Sequence, residues 1–341
     1  MGLNPNKIAE AFDKIAAAKR KNIYSQLMAQ FEVKSDLLSH CRVQSGVQKD
    51  QVYYGSNAFM TEVLQGWVRD KVKKGDLSLV PAETIQRRHM IYTGIKPDEL
   101  VGTIEGAMFD EEKTITDQDI VILMLDMVTR QAQEDRIFKQ LYKGKYVAPT
   151  NNQANPAENA VNGYGEVLEA GLEESDDDKK INGINISGAL VEDPSVYEQL
   201  SVDFKLGIHP KFRFRPMNLY IAPEIYEFYK AGREAAIGAH VNTEDLSNQY
   251  LPGTSIRIIP EISMIGSKRA FATPKMNLVR IVDKKTDQAG TLKTFVFDVD
   301  EVTIYGDFHE AYGFEFNKLV WTNNLSNSGS GGGDENETFV D

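Results

Sequence analysis

Between residues 302 and 316 the chain alternates in a way that few folds can absorb. Val302, Ile304, Phe308, Tyr312, Phe314 and Phe316 occupy even positions, while Thr303, Asp307, His309 and Glu315 fall between them. Successive side chains of an extended chain point to opposite faces, so this run predicts a long strand, or a bent strand pair, with one buried face. The preceding run, Thr294 to Val299, repeats the pattern with Phe295, Phe297 and Val299 on one side. The last ordered section is therefore expected to be all strand. After Trp321 the sequence passes into Asn, Ser and Gly and then Asp334-Glu335-Asn336-Glu337, which predicts a flexible acidic tail over 323–341.

Upstream the period changes. Ile8, Phe12, Ile15, Ala16, Ile23, Leu27 and Met28 recur at three- and four-residue spacings, predicting an amphipathic helix over 7–30. One such helix cannot bury its stripe alone, so it must dock on its own domain or on another subunit. Strands are expected at Arg42–Val47 and Gln51–Tyr54. From Gly66 to Met90 a polar hairpin carries Lys71, Lys73, Lys74, Arg87 and Arg88 around a Gly75-Asp76 turn. A long excursion that cannot bury much of itself usually contacts a partner. Residues 117–143 read as a helix with a capping-box-like start at Thr116 and a stop at Gly144, apolar almost all round from Ile120 to Val128. Beyond it, helices are expected at 163–172, 194–206 and 223–236. Strands are expected at 217–222, 255–259 and 277–283, the whole making a compact α/β unit.

Composition narrows the functional classes. The 341 residues exceed a common single-domain length, and 41% apolar content with 16 Phe and 14 Tyr is enough for a sizeable core. A formal charge of −12 argues against a dedicated nucleic-acid coat. The lone Cys41 cannot form an intrachain disulfide and points to a reducing compartment. The N-terminus lacks an apolar signal core, and the longest apolar run, Ile120 to Leu125, is far short of a membrane span. A soluble intracellular protein is expected.

Catalytic patterns are scarce. Gly144-Lys145 follows a helix, whereas a phosphate loop precedes one, and no G-x-S-x-G elbow occurs. His40, His89, His209, His240 and His309 are scattered and form no ligand pair. Asp298, Asp300 and Glu301 lack the glycine and distal glutamate of a calcium loop. Arg213 and Arg215 flank Phe214 and could stack on bases, though strand-edge or interface charges explain them better. No cofactor, metal site or enzymatic activity is expected.

The order of these parts resembles the major capsid proteins of tailed double-stranded-DNA bacteriophages, the Hong Kong 97-type fold. Gln133 to Phe138 with Gly144, then Asn162 to Leu168, looks like the end of that family's spine helix and the short helix after it. Asn218 to Tyr226, Leu251 to Pro260 and Arg269 to Val279 look like successive elements of its axial domain. Tyr305 to Phe308, Gly313 to Phe316 and Leu319 to Trp321 look like its closing strands. The resemblance covers roughly residues 30 to 322. It implies an α+β chain with an N-terminal arm (1–50) and an extended hairpin (51–95). It further implies a peripheral β-domain (96–160 and 291–322) with the spine helix 117–143, an axial α/β domain (161–290) and the acidic tail (323–341).

The function so implied is a subunit that self-assembles into pentamers and hexamers of an icosahedral shell around double-stranded DNA. Its partners would be itself, a separate scaffolding protein, a portal and weakly held packaged DNA, with no membrane. Its place would be the virion, after assembly in the host cytoplasm. Phe12, Phe59, Trp67, Lys71, Lys73, Lys74, Arg87 and Arg88 would make inter-subunit contacts, because Phe59, Met60, Val63, Leu64 and Trp67 have no evident home in their own domain. A phage tail or adhesion protein and an enzyme with an unrecognised site are the alternative readings.

Overall fold

The computed structural model describes residues 34–47, 52–60, 64, 67, 74, 77–96, 127–150, 153–186, 189–238, 249–283, 293–298 and 301–325. The helix predicted over 7–30, the first half of the helix predicted over 117–143 and the tail beyond residue 325 lie outside them.

The described chain begins with a short helix, α1 (Asp36–His40), whose Ser35 N-cap oxygen accepts from the Leu38 amide. Strand β1 (Arg42–Val47) leads to a ribbon of β2 (Val52–Met60) and β3 (Leu77–Ile85), paired antiparallel from Val52↔Ile85 to Met60↔Leu77. Only Gln86 separates β3 from β4 (Arg87–Ile95). Residues 127–140 form α2, whose last turn, Arg136–Gln140, widens to π-helical spacing. Helix α3 (Tyr164–Glu173) and strand β5 (Asn182–Ile184) follow.

Residues 196–207 form α4, which passes through a π-helical Gln199–Phe204, and α5 (Pro210–Arg213) is a single turn. Strand β6 (Met217–Ile221) feeds α6 (Pro223–Ile237). Pro223 suits the first turn of α6, where no amide is needed, and Gly238 closes it at φ 70°, a left-handed cap that costs glycine least. Ile225, Tyr229 and Gly232 form its buried stripe, and the glycine is required: a Cβ there would lie 2.0 Å from the Pro194 carbonyl oxygen. The remaining strands are β7 (Ile256–Pro260), β8 (Phe271–Thr273), β9 (Leu278–Asp283), β10 (Lys293–Asp298), β11 (Glu301–Phe314) and β12 (Trp321–Asn323).

Among the described residues these strands make two five-stranded sheets besides the ribbon. The first is organised by β11, the strand announced by the alternating run. Its residues 302–305 pair with β4 and with β10, and Glu310 pairs with Arg87 of β4 and Val282 of β9. β1 joins the edge of β9 in parallel. The second sheet runs β5-β12-β8-β6-β7. Tyr164 of α3 ties the two together, its ring packing on Tyr312 and Phe314 of β11 and on Phe271 of β8 while its hydroxyl donates to the Val279 carbonyl. An apolar core therefore runs between the sheets, with a smaller cluster of Val279, Ile281 and Ala311 beside it.

The architecture is α+β, as the sequence implies. The pairing draws internal boundaries differently from the expected ones. Leu278–Asp283, expected in the axial unit 161–290, is a strand of the first sheet beside β11. Trp321–Asn323, at the end of the expected peripheral segment 291–322, lies in the second sheet between β5 and β8. Residues 87–95, expected within the hairpin, form a sheet strand, because β4 meets β11 over its whole length. In each case a long-range partner decides the placement, which local pattern does not encode.

Candidate functional site

Strand β4 presents two different faces. Arg88, Met90 and Tyr92 point outward, with Met90 67% and Tyr92 61% exposed. Arg88 makes a two-pronged ion pair with Asp307 of β11 (2.9 and 2.7 Å), and Tyr92 meets Tyr305 edge-on. Arg87 faces the other way, its guanidinium 3.9 Å over the ring of Tyr146. Both arginines singled out in the sequence are thus engaged within their own chain. Trp67 is 90% exposed and Leu64 83% exposed, and the Lys74 ammonium donates to the Leu64 carbonyl. Phe12, Lys71, Lys73 and the side chain of Phe59 lie outside the described residues. The structure brings Arg87 and Arg88 onto one strand and leaves Trp67 open to solvent.

Behind the inward face lies a buried ionic cluster. Glu310, 1% exposed, accepts from the Arg280 Nε and from the Tyr312 hydroxyl (2.7 Å), with the Arg136 Nε 3.3 Å from its other oxygen. Burial works against its ionisation. The Arg136 and Arg280 guanidiniums outweigh that and hold its carboxyl well below the ordinary range. His89 sits beside this group, its ring tilted against Phe308 at 5.1 Å, with Arg136 over the Phe308 ring. Burial pulls the His89 imidazole down to about 4. Neither of its ring nitrogens has a hydrogen-bond partner among the described residues. The cluster joins α2, β4, β9 and β11, so it fixes the end of the long helix against the first sheet.

A second buried carboxylate fixes the start of the described chain. Glu261, fully buried after β7, accepts from the Ser35 hydroxyl (2.6 Å), the Leu37 amide (2.7 Å) and both the amide and hydroxyl of Ser263 (3.1 and 2.8 Å). It anchors α1 to the second sheet. Cys41 nearby donates to the Leu37 carbonyl and touches the Tyr164 hydroxyl, and burial pushes its thiol up to about 12, so it is no nucleophile.

Sequence reasoning missed Glu310, Arg280, His89 and Glu261 as structural charges. One signal was available: Glu310 breaks the alternation by occupying an even, apolar position.

Among the described residues no group of three metal-ligating side chains converges. A groove of about 290 Å³ lies between the end of β3 and α3, with Arg87, Glu166, Glu174 and Lys179 around apolar Ala311, Tyr312 and Phe314. It holds no nucleophile paired with a base. No described helix is long and apolar enough to cross a membrane. What the geometry offers is rigid anchoring of projecting parts, together with exposed aromatic and thioether side chains.

No protein-family model matches the sequence, and no curated protein does either. Solved structures do resemble it. A chain of the satellite phage P4 procapsid including size determination (Sid) protein superposes with a TM-score of 0.56 at 11% identity, over 89% of this chain and 90% of that one. A chain from the capsid of an empty GTA particle gives 0.50 at 9% identity, over 86% and 90%. With superposition extending over most of both chains, this protein has the fold of phage capsid proteins, the Hong Kong 97-type fold that its sequence resembles.

Proposed function

We propose that this chain is a structural subunit of a tailed-phage shell, assembling with copies of itself into pentamers and hexamers of an icosahedral capsid around double-stranded DNA. The observation that carries this reading is the fold, shared over most of the chain with a chain of a phage procapsid and a chain of a GTA capsid. The exposed residues support it. Trp67, Leu64, Met90 and Tyr92 are large, apolar and exposed, the first two between β2 and β3 and the others on the outward face of β4. A closed shell covers such surface by repetition, and each further contact forms at high effective concentration. The arm of residues 1–50 and the ribbon would lie on neighbouring subunits, with Phe12, Phe59, Trp67, Lys71, Lys73 and Lys74 at those contacts. A separate scaffolding protein and a portal would complete assembly in the host cytoplasm. The acidic balance of the chain would leave packaged DNA weakly held.

Negative-stain imaging of the purified protein tests the reading. Rings of five or six or closed shells are expected, and removal of residues 1–30 should leave the fold intact while stopping closure. A strictly monomeric particle under every assembly condition would refute it.

A further inference from the structure

The surface around the end of α4 and the turn of α5 is opposite in sign to the net charge of −12 of the chain. Residues 202–216 carry Lys205, Lys211, Arg213 and Arg215 against the single acid Asp203. Arg213 donates to the carbonyls of Ile208 (2.6 Å) and Leu206 (2.9 Å), which folds the turn back on the helix end. Two exposed apolar side chains belong to this turn: Leu206, 58% exposed, whose carbonyl Arg213 binds, and Phe214, 72% exposed, the next residue along the chain. Arg215 lies against Phe212, 5.2 Å from its ring. No carboxylate among the described residues pairs with Lys211 or Arg215, and two large apolar side chains stand between the cations. Such a surface fits an acidic segment with an apolar centre.

This chain contains one. Residues 334–341 read Asp-Glu-Asn-Glu-Thr-Phe-Val-Asp, four acids around Phe339-Val340. Their point of departure is close to the basic surface. The Asn324 amide donates to the Ile184 carbonyl (3.3 Å), and the Ile184 side chain packs so tightly on Gly207 that a Cβ there would lie 2.4 Å from it. Trp321, three residues earlier, packs 5.0 Å from the Phe212 ring. The chain therefore leaves the second sheet beside the end of α4. Residues 326–333 can span at most about 27 Å, and over such a tether the effective concentration is in the millimolar range.

We propose that segment 334–341 docks on the surface formed by Lys205, Leu206, Lys211, Arg213, Phe214 and Arg215 of its own chain. Its acids face the cations, and Phe339 lies against Leu206 and Phe214. Nucleic acid is the competing occupant. The apolar side chains between the cations and the formal charge of −12 both favour the tail over a polyanion.

Zero-length carbodiimide coupling of the full chain in dilute solution tests this, using an equal mixture of isotopically light and heavy protein. Peptides joining Lys205 or Lys211 to residues 334, 335, 337 or 341 are expected, with light–light and heavy–heavy pairs dominant. Their yield should fall roughly tenfold in Phe339→Ser, which removes the apolar contact without touching the folded part. It should also fall in molar salt, where screening shortens to about 3 Å. No such peptides, or a mixed light–heavy share near the one half that random pairing between molecules gives, would overturn the proposal, as would an unchanged yield in Phe339→Ser. Labelled short duplex DNA that bound the intact chain through Lys211 and Arg215 would overturn it equally.

Discussion

Replacing His89 by Phe should leave the subunit at least as stable at neutral pH and should abolish most of the loss of stability that the unmodified chain shows on mild acidification. His89 is 3% exposed, with Arg136, Arg280, His309 and Glu310 as its charged and titratable neighbours from α2, β9 and β11. Burial is the largest influence on it. The neighbouring carboxylate pulls the other way, and the net result is a fall from 6.5 to about 4. In the unfolded chain His89 takes its proton near 6.5, whereas in the fold it resists until about 4. Between those values the unfolded state binds more protons, so stability falls as pH falls. At 1.36 kcal/mol per pKa unit the difference amounts to about 3 kcal/mol.

Glu310, held below the ordinary carboxylate range by its two guanidiniums, begins to cost stability only below about 4.3. His40, half-buried and also lowered chiefly by burial, adds a smaller change of the same sign. Phe fits the slot beside Phe308 and removes two buried nitrogens that lack partners. Urea unfolding of dilute subunits, followed by tryptophan fluorescence at a series of pH values, measures the effect if the slope with denaturant stays constant. Loss of less than ~1 kcal/mol by the unmodified chain across this window, or equal losses by chain and variant, would refute the reasoning.

Three further outcomes follow from the buried polar groups. Glu310→Gln leaves two guanidiniums sharing no charge in the interior and should cost about 3–5 kcal/mol in the same unfolding assay at neutral pH; a cost under ~1 kcal/mol would show that the cluster is hydrated. Glu261→Ala strands the Leu37 and Ser263 amides and should cost about 3 kcal/mol, with amide exchange rising first at residues 35–41; unchanged protection there would contradict the anchoring role. Cys41 should resist a thiol reagent at mildly alkaline pH until denaturant is added, and prompt labelling of the native chain would show that its burial is wrong.

The strands were legible in the sequence where one face alone is buried. The alternating run over 302–316 became β11, and the Met217-to-Pro223 junction became β6 followed by α6, because period and proline chemistry are local signals. The three-residue strands β5, β8 and β12 were not legible. Each exists only through partners far away in sequence, and three residues carry no period. The π-helical turns escaped for a similar reason: tertiary packing of Ile137 and Phe204 widens the helices, and propensity says nothing of it. At the candidate surfaces, exposure of Trp67 agreed with the absence of a core partner for it. The intrachain partners of Arg87 and Arg88 depend on β4 meeting β11, and no local pattern reports that register.

The Glu261 anchor and β12 lie in one layer, and this has a mechanical consequence. Ser35 is tied beside β7 and Asn323 closes on the Ala270 amide beside β8, so both ends of the described chain are fastened to the second sheet. Tension applied between residues 35 and 323 would be borne first by shear of β12 against β5 and by the Glu261 clasp. The first sheet, with its ionic cluster and the ribbon it carries, would stay unloaded until that layer yielded.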